Sequence, residues 1–173
     1  MIGKTVEELE VGERAAFSKT VSESDIYLFA GITGDFNPVH VNQTYAESTF
    51  FKTRIAHGIL LAGFLSAVMA NQLPGPGAVY IHQELHFIAP VFIGDTVTAQ
   101  VEVLSIDGDA NRVTLKTTCE NQNGEMVIDG QAIVSPRKAP KKSDSGSAGS
   151  IAGRTHMKDD KSVLQPDNRE RTT

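Results

Sequence analysis

Residues 57–71, HGILLAGFLSAVMAN, are the stretch that most limits how this chain folds. On a helix Ile59, Leu60, Leu61, Phe64, Leu65, Val68 and Met69 leave almost no polar face. A helix apolar all round has to be covered on all sides. No run in the chain approaches the 18 or more apolar residues of a membrane span, so the cover has to come from protein. The segment LPGPG, residues 73–77, ends the helix, and the residues after it have the pattern of that cover. Val79, Ile81, Gln83, Leu85 and Phe87 alternate with Tyr80, His82, Glu84, His86 and Ile88. Further strand patterns run over residues 95–105, 112–120 and 126–134, with DGDAN and NQNGE between them as hairpin turns. An earlier strand fits residues 14–20. One buried helix with long antiparallel strands predicts an α+β domain whose sheet wraps around the helix. No internal repeat is visible.

Between the early strand and the apolar helix the chain is mostly helical. Ser22-Glu23-Ser24-Asp25 has the form of a capping box and leads into IYLFAGI. A short helix is expected at residues 43–49.

Composition sets the class. With 173 residues, 40% hydrophobic and 21% charged, the chain suits one soluble domain with a real core. The opening MIGKTVEELEVGE lacks the apolar stretch of a signal peptide, and a single cysteine, Cys119, excludes an internal disulfide. Both suit a cytoplasmic protein, and Cys119 reads as a small core residue. Residues 1–136 hold 7 Lys and Arg against 16 Asp and Glu, whereas residues 137–173 hold 9 against 5. So acidic a body argues against nucleic acid as the main partner. Residues 137–173 contain no aromatic side chain and few aliphatic ones, which predicts a disordered tail or linker after a domain of residues 1–136. An added scar, a fusion remnant and a natural tail all fit its SGSAGSIAG segment.

The segment GDFNPVH, residues 34–40, carries the chemistry. Asp35 and His40 are five residues apart, which turns them about 140° from each other on a helix and onto opposite faces of a strand. Pro38 removes a backbone donor and pushes Asn37 out of the helical region. A bent loop is therefore expected, and a loop can bring an acid and an imidazole to one point. Gly58 begins the apolar helix, so its N–H is among the unpaired donors of the first turn.

FAGITGDFNPVH, RIAHGILLAGFLSAVMANQLPG and APVFIGDTV together resemble the MaoC-like hot dog family over about residues 10–135. More narrowly they resemble its single-domain (R)-specific enoyl-CoA hydratases, which feed polyhydroxyalkanoate synthesis. The resemblance implies a homodimer whose sheets join edge to edge, with two active sites at the interface. It places the acid and histidine on Asp35 and His40, the backbone donor to the thioester carbonyl on Gly58, and the motif serine on Ser66. The implied reaction adds water to a trans-2-enoyl-CoA to give the (R)-3-hydroxyacyl-CoA, and runs in reverse, with no cofactor or metal. A hot dog thioesterase, a dehydratase acting on acyl carrier protein and a non-catalytic acyl-CoA-binding module are the competing readings.

The remaining candidates divide between structure and substrate. Ser66 stands eight residues past Gly58, about 12 Å along the helix, so it serves as support for Asp35 or His40 or bonds back to the Ala62 carbonyl. Asn37 either braces the turn or touches substrate. His57 reads as structural. His82 and His86 would stand about 13 Å apart on a strand, which rules against a shared metal, and His156 falls in the tail. Lys52 and Arg54 are the first candidates for the phosphates of CoA, with Arg112 and Lys116 behind them; all four also read as plain surface charges. Leu65 and Met69 either line the acyl pocket or belong to the core.

Overall fold

A computed structural model describes residues 2–139. The expectations for residues 140–173, His156 among them, lie outside the described residues. After a 3₁₀ turn at Val6–Glu8 come β1 (Arg14–Thr20), α1 (Glu23–Thr33), α2 (Pro38–Val41), α3 (Gln43–Ser48) and α4 (Gly58–Asn71). The second half holds β2 (Val79–Phe87), β3 (Thr96–Asp107), β4 (Arg112–Glu120) and β5 (Met126–Ser135). Among the described residues the strands form one antiparallel sheet in the order β1-β3-β4-β5-β2. The sheet curves around α4, the hot dog arrangement.

Period-two patterning decides which face the sheet turns to the helix. Val97, Ala99, Val101 and Val103 of β3 are fully buried, as are Val113, Leu115 and Cys119 of β4. They meet Leu61, Phe64, Leu65, Val68 and Met69 of α4, which packs on β1, β3 and β4. Burial pushes the Cys119 thiol up to about 12, so it behaves as the core residue its alternating strand predicts.

Within this chain α4 is not covered all round, a departure from the expectation set by its sequence. Ile59 is 58% exposed, and Gly63 and Ala70 also face outward. The sheet covers one side of the helix and leaves the other open. β2 departs as well. Its residues are mostly exposed on both faces, because the strand sits at the sheet edge, pairs with β5 and slips register between Tyr80 and His82.

Local signals set the boundaries. The capping box forms as expected: the Ser22 N–H donates to Asp25 Oδ2 at 2.8 Å and the Asp25 N–H donates to Ser22 Oγ at 3.2 Å. Gly34, at φ 80°, closes α1 in the left-handed region, where a Cβ would be strained. Past Pro136, the Arg137 guanidinium donates to the Gly3 carbonyl and lies 3.4 Å from Glu8.

Leu65 is fully buried where α4 meets the sheet. Leu65→Ala is expected to cost about 2–5 kcal/mol of folding stability, read as a lower urea midpoint; a midpoint equal to that of the unsubstituted chain would contradict this packing.

Candidate active site

The chain from Gly34 to Val41 is a loop that becomes a helix halfway. The Asn37 N–H donates to Asp35 Oδ1 at 3.2 Å, and Asn37 Oδ1 accepts from the Val39 N–H at 3.4 Å. Asn37 thus caps α2, and Pro38 takes its first position, where the missing N–H costs nothing. The bent loop expected over the whole segment is therefore confined to residues before Pro38, and His40 sits on a helical turn. Asn37 braces that turn through its own side chain.

His40 is 8% exposed, and its Nδ1 lies 2.9 Å from the Ile55 carbonyl. A carbonyl only accepts, so Nδ1 carries the hydrogen and Nε2 keeps its lone pair. Burial holds the ring below the ordinary imidazole range, and neighbouring His57 pushes the same way. The Ile55 bond and Asp35 oppose that shift.

Asp35 and His57 complete the cluster. The Asp35 side chain is 51% exposed, whereas His57 is 2% exposed. His57 Nε2 donates to the Asp35 backbone carbonyl at 2.9 Å and stands 4.0 Å from Asp35 Oδ2. Its ring stacks on His40 with centroids 3.9 Å apart and planes at 28°. Asp35, His40 and His57 therefore offer polar atoms within 4.8 Å of one another. That closeness does not make a metal trap. Nitrogen lone pairs lie in the ring planes, and stacked rings cannot both aim them at one ion about 2.0–2.1 Å away.

Gly58 follows His57 as the first residue of α4. Its amide lacks an intrahelical acceptor, and the helix dipole favours negative charge there. A Cβ on Gly58 would lie 2.7 Å from the Phe87 ring, so glycine is what lets Phe87 rest against the helix mouth. His40 and Gly58 line a cavity of about 440 Å³ whose apolar wall includes Phe50, Phe51, Ile59 and Phe87. Asp35 is not part of that wall.

Other sequence candidates fall elsewhere. Leu65 and Met69 are core residues outside the cavity wall, because they point from α4 into the sheet. Ser66 is half-buried and also outside the wall. Arg54 is held by α1: it donates to the Tyr27 hydroxyl at 2.9 Å, pairs with Glu23, and is 13% exposed. Its charge is already neutralised there. Lys52 is exposed, with φ at 62°. Arg112 donates to the Ala110 and Asn111 carbonyls of the β3–β4 turn, and Lys116 pairs with Glu102 in cross-strand register. His86 meets Glu84 at 3.1 Å on the exposed edge strand. His57, structural by its sequence alone, is brought by the fold between the acid and the imidazole; its place directly before Gly58 is the signal that could have marked it.

A family model described as MaoC like domain matches residues 7–124. The chain belongs to this MaoC-like family. It is 56% identical over 128 residues to the "(R)-specific enoyl-CoA hydratase" of Rhodospirillum rubrum, covering 74% of this chain and 88% of that protein. Among solved structures it resembles unliganded R-hydratase PhaJ1 from Pseudomonas aeruginosa, with TM-score 0.75, 39% identity, and 87% of this chain and 96% of that one covered. It also resembles the (R)-hydratase from A. caviae involved in PHA biosynthesis, with TM-score 0.73, 41% identity, and coverage of 75% and 98%.

His40 is expected to titrate below the usual imidazole value of about 6.5. The unfolded chain then takes up the proton first as pH falls, so His40's contribution to stability is full above about 6.5 and lost as pH drops through its folded pKa. Ring-proton NMR between about pH 7.5 and 4.5, a window spanning that ordinary value, checks this; a midpoint at or above the ordinary value would contradict the burial described.

Proposed function

We propose that residues 1–136 form an (R)-specific enoyl-CoA hydratase, adding water reversibly to trans-2-enoyl-CoA to give (R)-3-hydroxyacyl-CoA. The observation that carries this reading is that Asp35 and His40 offer polar atoms within 4.8 Å of each other, with the His40 Nδ1 hydrogen held by Ile55, beside the amide end of α4. A water between them can give one hydrogen to each acceptor and turn its oxygen toward the β carbon. Asp35 takes the proton as the oxygen attacks, and His40 holds and orients the other hydrogen. The proton then passes to the α carbon, so water adds with nothing left over. The thioester oxygen gathers negative charge during the attack, and the Gly58 N–H answers it. Losing a donor of this kind typically costs about 10²–10³ in rate. Ser66 and Asn37 enter as supports of the turn and helix rather than as reacting groups.

The cavity beside His40 and Gly58 takes the acyl part of the substrate, with Phe50, Phe51, Ile59 and Phe87 as its wall. Lys52 is the better placed cation for a CoA phosphate, since Arg54 is engaged with Glu23 and Tyr27. The working form in this reading is a homodimer. The free edge of β2 exposes Val79, Ile81 and Phe87, and α4 exposes Ile59, so a second copy would extend the sheet and cover the open helix. No helix among the described residues is long and apolar enough to cross a membrane, and the cytoplasm is the compartment we assign. The description of the A. caviae relative makes precursor supply for polyhydroxyalkanoate a reading for this chain as well.

Loss of enoyl absorbance with crotonyl-CoA tests the proposal. Rapid hydration to the (R) alcohol is expected, with Asp35→Asn slower by about 10²–10⁴-fold, the usual loss of a positioned acid–base group. Release of free thiol instead of hydration would assign a thioesterase. Unchanged turnover in Asp35→Asn would remove Asp35 from the mechanism.

A further inference from the structure

We infer that His57 is a positioning residue for this reaction, one side chain that sets both the Asp35 carboxylate and the His40 imidazole. The inference rests on the hydratase reading and adds to it a residue outside the reacting pair. Three contacts meet on His57. Its Nε2–H holds the Asp35 backbone carbonyl at 2.9 Å, which fixes the loop carrying the acid. One ring face lies against His40, with centroids 3.9 Å apart. The ring also meets Phe29 of α1, with centroids 4.9 Å apart. Its backbone is the N-cap of α4, so the next amide is the Gly58 donor. The acid, the imidazole and the oxyanion donor are thereby all referred to one buried residue.

These contacts dictate a specific protonation pattern. Asp35's carbonyl requires hydrogen on Nε2 of His57, and Ile55's carbonyl requires it on Nδ1 of His40. The two stacked rings therefore hold opposite tautomers. The bare nitrogen of His40 is left for water. The bare nitrogen of His57, Nδ1, is buried and has no hydrogen-bond partner. A histidine kept only to fill space leaves that polar atom unexplained, since a buried acceptor without a partner is a cost to folding. The arrangement makes sense if Nε2–H and the ring face are what the site needs. The titratable groups set against His57 in this cluster are Asp35, from the loop after α1, and His40, from α2.

Two substitutions separate the contacts. His57→Phe keeps a flat ring on His40 and removes the donor to Asp35. His57→Gln keeps an N–H donor and removes the stacked ring. Per folded molecule, His57→Phe is expected to lower kcat on crotonyl-CoA by about 10²-fold, the cost of misplacing reacting groups by about 1 Å, with KM unchanged. His57→Gln should recover part of that loss. A structural role alone would lower the folded fraction and leave kcat per folded molecule in place, and that result would overturn the inference. If neither variant folds, ¹⁵N-histidine long-range NMR on the unsubstituted chain decides: Nε2–H on His57 with Nδ1–H on His40 supports it, and Nδ1–H on His57 overturns it. An unsubstituted protein that does not hydrate crotonyl-CoA would count against the hydratase reading, and the tautomers would still report on His57.

Discussion

The packing of α4 against the sheet is the constraint on which the rest of the molecule depends. Val97, Ala99, Val101, Val103, Val113 and Leu115 present a continuous apolar face, and Leu61, Leu65 and Val68 fill it. A helix held this way cannot rotate or slide without opening voids, and interiors pack too tightly to tolerate them. Its first residue is therefore fixed in space. Gly58 inherits its position from core packing, and so does the direction in which its unpaired amide points. Chemistry that needs a donor fixed before the reaction begins is served by that rigidity.

The acid and the imidazole are fixed by a different means. They sit on short elements that could not hold shape by themselves: α2 spans Pro38–Val41. Side-chain and backbone hydrogen bonds take the part that packing plays for α4. Asn37 caps the turn, Ile55 takes the His40 Nδ1 hydrogen, and His57 takes hold of the Asp35 carbonyl. The last two bonds also settle where each ring carries its hydrogen. The site's electrostatics are therefore written by backbone carbonyls, which accept and never donate. His40 is left neutral with its lone pair available because burial penalises the charged ring.

Much of this is legible in the sequence, for physical reasons that differ by element. The strands β3, β4 and β5 and the helix α4 announce themselves through period and apolarity, since each buries a face. The Ser22 box and the glycine after Thr33 mark α1 at both ends. The helical turn at Pro38 is hidden because proline reads as a breaker, although at a first helical position it is a starter. The even alternation of β2 misleads about burial, since an edge strand paired with a neighbour on one side leaves both its faces largely open. Leu65 and Met69 are ambiguous because an apolar side chain suits a core and an acyl pocket equally, and only the direction of α4 relative to the sheet separates the two. Arg54 looks free in the sequence because its partners, Glu23 and Tyr27, are distant along the chain.

His57 shows where sequence reasoning stops and why. Its neighbours in the chain are Ala56 and Gly58, and only its place at the start of the apolar helix hints at a role. The contacts that give it meaning come from Phe29, Asp35 and His40, all earlier in the chain and brought together by tertiary folding. Folding pressure alone favours an apolar side chain at a site this buried, because a buried nitrogen without a partner is a cost. A residue that violates the local rule for burial, at the junction of the acid, the imidazole and the helix end, is where a folded domain departs from its own stability to hold a reaction geometry. The same tension appears at the mouth of α4, where Ile59 and Phe87 stay exposed beside His40 and Gly58.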